Sequence, residues 1–261
     1  MSIITEYISQ KNKLNEKVLS VFLTSGFPHK ENFPELALKV FDAGADMLEI
    51  GFPFSDPLAD GPIIQNSSYK ALMEGINLST TFEYVNEIRK STNKPIILMG
   101  YANPVLSFGV SCFAEQAKAL GVNGIIIPDV PIEEYESFFG NFFTGLDIIL
   151  LVTPTTSDER IKLIDEKSSG FVYCVSVSGT TGLHHHNKTA GIEFIKRAQN
   201  SISKNKTLVG FGISNGDDAK AFTPYCDGVI VGSAVIKSLT DDDKNYSNTI
   251  KLVRSLKQAL A

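Results

Sequence analysis

The chain has 261 residues, 43% of them hydrophobic, and a formal net charge of -5 at pH 7. This length and apolar content supply a sizeable core and exclude a compositionally disordered chain, while the acidic balance excludes a general nucleic-acid binder, which works through clustered Lys and Arg. Three scattered cysteines, Cys112, Cys174 and Cys226, exclude a disulfide framework or a cysteine zinc site and imply free thiols in a reducing, cytoplasmic setting.

In chain order, the opening MSIITEYISQKNKLNEK lacks the apolar stretch of a secretory leader and reads as an extra helix outside the main fold. No apolar run approaches the ~20 residues that cross a bilayer, so no membrane segment is expected. A first strand is predicted at 18–25 (VLSVFLTS), then a helix in ENFPELALKVFDAGA with Leu36, Val40 and Phe41 on one side and Gly44 at its stop. The second strand, DMLEIG (46–51), holds a carboxylate within an apolar run. Alternation puts Met47, Glu49 and Gly51 on one face and Leu48 and Ile50 on the other. If Leu48 and Ile50 meet helices, Glu49 points inward, where apolar neighbours disfavour its charged form and raise its pKa. Such an acid can give and take a proton near neutrality. The plainer reading pairs it with a cation, yet Arg89, Arg160, Arg197 and Arg254 all fall in helical, outward patterns.

The loop FPFSDPLADGP follows, stiffened by Pro53, Pro57 and Pro62. Either Asp56 or Asp60 alone fits ordinary turn chemistry. A stiff loop after such a strand points further: Asp60 is expected to oppose Glu49 across a pocket, two carboxylates in unlike environments with unlike roles.

Later strands are predicted at PIILMGY (95–101), GIIIPDV (124–130), DIILLVT (147–153), FVYCVSV (171–177), TLVGFG (207–212) and GVIVGSA (228–234). Helical patterns lie between them, among them TTFEYVNEIRKS, CFAEQAKALG, EEYESFFGNFF, SDERIKLIDEKS and GIEFIKRAQNSI, and NTIKLVRSLKQAL ends the chain. Tyr173 shares a strand face with Phe171 and Val175, which fits either a group at a pocket mouth or a packed core tyrosine. The polar stretch SVSGTTGLHHHNKT (176–189) reads as a lid or partner surface, with Thr181 and Gly182 as possible anion donors. Its three adjacent histidines diverge and have no matching carboxylate or cysteine spacing, so no metal is expected. Gly210-Phe211-Gly212-Ile213-Ser214 and Gly232-Ser233-Ala234 end the seventh and eighth strands, where barrels build phosphate sites from backbone N–H groups.

Eight β units in alternation with helices imply parallel strands and right-handed crossovers. The expectation is an α/β chain forming one domain over 1–261: a (β/α)8 TIM barrel with an extra N-terminal helix. An open dinucleotide-binding sheet is disfavoured, because no Gly-x-Gly-x-x-Gly follows the first strand. A Schiff-base aldolase is disfavoured too, because no predicted strand ends in a lysine; Lys94 and Lys188 lie elsewhere. A binding subunit without turnover fits poorly with an intact Glu49 and Asp60.

LEIGFPFSDPLADGPIIQ, MGYANP (99–104), PDVP (128–131), SGTTG (178–182), GFGIS (210–214) and GSA (232–234) together closely resemble the tryptophan synthase alpha chain family, in order and spacing from about 18 to 240. The resemblance implies cleavage of indole-3-glycerol phosphate to indole and glyceraldehyde 3-phosphate. It implies that Glu49 is the acid/base, Asp60 the second catalytic carboxylate and Tyr173 their neighbour. Gly182, Gly212, Gly232 and Ser233 would hold the phosphate, and Phe22 and Phe211 would line the indole pocket. The implied partner is the tryptophan synthase beta chain, a pyridoxal-phosphate enzyme, in an α2β2 assembly; the alpha chain itself takes no cofactor. Two departures stand out: Thr180 where the family usually has Val, and the histidine run His184–His186. Both bear on lid closure and inter-chain coupling and leave Glu49 and Asp60 untouched.

Overall fold

The structure, a computed structural model, describes residues 2–176, 188–210 and 212–261. The described residues form nine strands: β1 (Val18–Thr24), β2 (Met47–Gly51), β3 (Ile96–Met99), β4 (Gly124–Ile126), β5 (Asp147–Ile148), β6 (Leu151–Val152), β7 (Phe171–Val175), β8 (Lys206–Gly210) and β9 (Gly228–Val231). All pairings are parallel, in the order β5-β4-β3-β2-β1-β9-β8-β7-β6. The two ends of that order are consecutive pieces of one strand. The Ile149 N–H donates to the Ile125 carbonyl at 3.0 Å, and the Tyr173 N–H donates to the Leu150 carbonyl at 3.0 Å. The run 147–152 therefore joins β4 on one side to β7 on the other, and eight strand positions close into a barrel. The expected strand over 147–153 is there, broken in two by the change of partner.

Period-2 alternation then builds two apolar layers. Leu19, Val21, Leu23, Leu48, Ile50, Ile96 and Leu98 face outward and pack with Leu36, Val40, Phe82 and Val85 of the surrounding helices. Val18, Met47, Ile97, Ile126, Phe171 and Ile230 fill the interior, and Ile4 and Ile8 of the helix Ile3–Lys13 join them. The N-terminal helix expected outside the barrel is in fact its floor. Ile4 and Ile8 are a turn apart on one face, so both reach into the open end, while Ser2 caps the helix by accepting from the Thr5 N–H.

Three local expectations change. EEYESFFGNFF forms only a short helix, Tyr135–Phe138, because Gly140 takes a positive φ of 35° and Phe138, Phe139 and Phe143 pack on one another. Two further helices, Pro62–Met73 and Ser233–Thr240, start directly at the loops expected to carry chemistry. By contrast, Asp158–Lys167 begins where SDER predicts, with Ser157 accepting from the Arg160 N–H at 3.3 Å.

Candidate active site

Glu49 lies on β2 with its side chain inside the barrel and none of its surface exposed. Its register partner on β1 is Phe22. The Ser20 hydroxyl donates to Oε1 at 2.8 Å, whereas Oε2 is buried and has no hydrogen-bond partner. Among the described residues no cation offsets this. Burial raises the carboxyl from an ordinary 4.5 to about 8, with the Ser20 donation opposing the rise.

Asp60 reaches the same space from the loop after β2. That loop is pinned at several points. The Asp60 N–H donates to the Pro57 carbonyl at 3.1 Å, and Gln65 Nε2 donates to the Asp60 carbonyl at 2.8 Å. Ser68 accepts from the Phe54 N–H and donates back to its carbonyl. Tyr101 clasps the tip: its hydroxyl accepts from the Ala59 N–H and donates to Asp60 Oδ2, each at 3.0 Å. Gly61 then caps the helix Pro62–Met73, whose first residue is a proline, as a helix start favours. Burial lifts the Asp60 carboxyl to about 6, and the Tyr101 hydrogen bond pulls the other way. At pH 7 Asp60 is thus ionised while Glu49 is predominantly a neutral acid.

Tyr173 on β7 is buried inside the barrel. Burial, then the charges of Glu49 and Asp60, push its phenol well above the ordinary range, so it stays a neutral hydroxyl. Its place depends on Gly210 of the neighbouring β8, where a Cβ would lie 2.3 Å from the tyrosine oxygen. Gly51 does the same for Phe22: a Cβ there would come within 2.4 Å of the ring.

Phe22, Glu49, Asp60, Tyr173, Gly212, Gly232 and Ser233 line one cavity of about 600 Å³, a size common for small-molecule sites. The seven described candidates therefore converge. Gly212 has φ +77°, a conformation open to glycine, and Gly232 leads into the helix Ser233–Thr240. Thr181, Gly182 and Phe211 lie outside the described residues, as do the SGTTG segment and His184–His186. Among the described residues no three metal-ligating side chains gather.

The sequence reading missed several lining groups: Ile64, Met99, Lys237, Ser238, Asp241 and Asn248. Lys237 was within reach of it, since a helix starting at Ser233 carries Ser233 and Lys237 one turn apart on one face. Lys237 is the one cationic side chain among the described residues that line the cavity.

A model of the family described as tryptophan synthase alpha chain matches residues 8–261. The tryptophan synthase alpha chain of Petrotoga mobilis is 42% identical over 248 residues, 94% of this chain and 93% of that protein. That of Christiangramia forsetii is 40% identical over 257 residues, 95% and 98% respectively. Among solved structures, an aminoacrylate-bound tryptophan synthase from M. tuberculosis superposes with a TM-score of 0.89 at 29% identity, covering all of both chains. The alpha chain from Legionella pneumophila gives 0.87 at 32%, covering 100% of this chain and 97% of that one.

Proposed function

Given that the chain belongs to the tryptophan synthase alpha chain family, the lyases that cleave indole-3-glycerol phosphate to indole and glyceraldehyde 3-phosphate, we propose that Glu49 moves the protons of that cleavage and Asp60 stabilises the charge it creates. One observation carries this: two carboxyls line one cavity in unlike surroundings, Glu49 fully buried with one oxygen unpartnered and Asp60 held by the Tyr101 hydroxyl.

Breaking the bond between indole C3 and the glycerol chain is a retro-aldol step. Neutral Glu49 gives its proton to C3, and the ring becomes a cation centred on N1. The carboxylate left on Glu49 takes the proton of the hydroxyl next to the breaking bond. The bonding pair returns to the ring as the aldehyde forms, and Glu49 ends as it began. Asp60 accepts a hydrogen bond from N1–H and faces the developing positive charge. The Tyr101 clasp keeps this anion in place before the reaction starts, the condition for electrostatic stabilisation to be strong. Tyr173 offers a neutral hydroxyl donor beside both acids.

The phosphate end is read onto Gly212, Gly232 and Ser233, where backbone N–H groups and a helix N-terminus favour an anion, with Lys237 one turn further adding positive charge. Phe22 gives the indole an apolar wall. The partner in this reading is the tryptophan synthase beta chain. Exposed apolar side chains on the loop and helices near Asp60, Leu58 (89% exposed), Tyr69, Met73 and Leu106, offer it a surface. The free thiols of Cys112, Cys174 and Cys226 suit a reducing cytoplasm. No helix among the described residues is long and apolar enough to cross a membrane.

The test is indole formation by wild type, Glu49→Gln, Asp60→Asn and Lys237→Gln, with and without beta chain. We expect Glu49→Gln and Asp60→Asn to lose on the order of 10²-fold or more in kcat, and Lys237→Gln to raise KM. Near-normal kcat in Glu49→Gln would refute the assignment.

A further inference from the structure

We propose that Ser20 is a positioning residue for this reaction: its hydroxyl holds one oxygen of the Glu49 carboxyl and leaves the other to carry the exchanged proton. The inference rests on the reading of Glu49 as the proton carrier. Ser20 sits on β1 two residues before Phe22, the register partner of Glu49, so it lies one inward position closer to the barrel floor. Both side chains are fully buried. The inward cluster around Ser20 is apolar: Met47 and Ile230 are its register partners on the two neighbouring strands, and Val18, Ile97 and Ile126 belong to the same cluster. A hydroxyl at that depth needs a partner, and Glu49 Oε1, 2.8 Å away, is the one it has.

The choice of residue type suits a group that must pass between two charge states. A lysine or arginine at position 20 would hold Glu49 ionised. An apolar residue would leave the carboxylate with no donor in a dry interior, where an unpaired ion is costly. The Ser20 hydroxyl does neither. It donates to Oε1 of the carboxylate and keeps that bond when Oε2 bears the proton, because Oε1 still accepts. Oε2, buried and unpartnered, is then the oxygen that exchanges with substrate.

Among the described residues the charged and titratable groups around Glu49 are few. Tyr173 comes from β7 and Asp60 from the loop, and Asp60 is bound by Tyr101. Lys237 and Asp241 line the same cavity. The lining residues of β1, β3 and β9, Phe22, Met99 and Ile230, do not titrate.

The experiment compares wild type, Ser20→Ala and Ser20→Thr. Glu49 is followed by carboxyl NMR titration in chain labelled with 13C at glutamate, and kcat/KM is measured across pH. Without the donor, Ser20→Ala is expected to shift the Glu49 titration and the matching limb of kcat/KM upward by roughly one pH unit, with kcat falling about tenfold and KM little changed. Ser20→Thr keeps the hydroxyl and should restore both toward wild type. Superimposable titrations in Ser20→Ala and wild type overturn the proposal at Ser20, including the case where the variant only melts earlier. A Glu49 titration that moves while the kcat/KM limb stays still overturns it instead through the assigned role of Glu49.

Discussion

A buried acid of the kind Glu49 presents is a load on the fold, and the load depends on pH. Its carboxyl titrates near 4.5 when unfolded and about 8 when folded. Between those values the folded chain holds a proton that the unfolded chain has released, so stability falls as pH rises through that window. Below pH 4.5 both states are protonated and the penalty is absent. Glu49→Gln keeps an acceptor for Ser20 and removes the ionisable group. It is therefore expected to be inactive and more stable than wild type, with a gain near zero at pH 4.5 that grows to on the order of a few kcal/mol by pH 8.5. Urea unfolding across pH checks this; a variant whose stability tracks wild type at every pH would show that the carboxyl is not desolvated as described. Asp60 adds a smaller penalty of the same sign between 3.8 and about 6.

Elements, more than single side chains, decide how those acids meet. Tyr173 fits beside them because β8 ends in Gly210. Gly210→Ala puts a methyl group where the phenol lies, and real contacts of 2.3 Å do not occur. The expected result is a displaced Tyr173, a fall in kcat, and a loss of about 1–3 kcal/mol in stability; unchanged kcat would take Tyr173 out of the chemistry. The strands were plain in the sequence because each is a short, apolar, β-branched run buried on both faces; period 2 groups Glu49 with Met47 and Tyr173 with Phe171, and the fold turns those faces inward. The helix Pro62–Met73 was not, because its buried face is Ser67, Ser68 and Ala71 and leaves no apolar stripe to read. Tyr101 and Ser20 were missed for a different reason. A tyrosine after a strand and a serine within one carry no signal until register and loop geometry bring them to Asp60 and Glu49. The helical pattern of 133–143 is cut short where Gly140 and three phenylalanines favour turns.

At the scale of the molecule the barrel is polarised. Ile4 and Ile8 seal one end with apolar contacts, and the cavity with both acids occupies the other. The ring itself is uneven. Seven of its eight strand positions are continuous strands, and the eighth is the split run 147–152, which pairs through only two register positions on each side. Among nine segments in order, β1 stands in the middle, farthest from that split. Such a cylinder has a zipper. Thermal breathing should part it along the 147–152 line, leaving a curved sheet still held at β1, β2 and β9. Native-state hydrogen exchange should then find the Ile149 and Tyr173 amides trading with solvent sooner than those of Phe22 and Glu49; equal protection all round would mean that the ring opens only by unfolding whole. On this expectation the wall that carries Ser20, Phe22 and Glu49 is the last to loosen, and the side proposed to handle protons keeps its shape while the opposite side flexes.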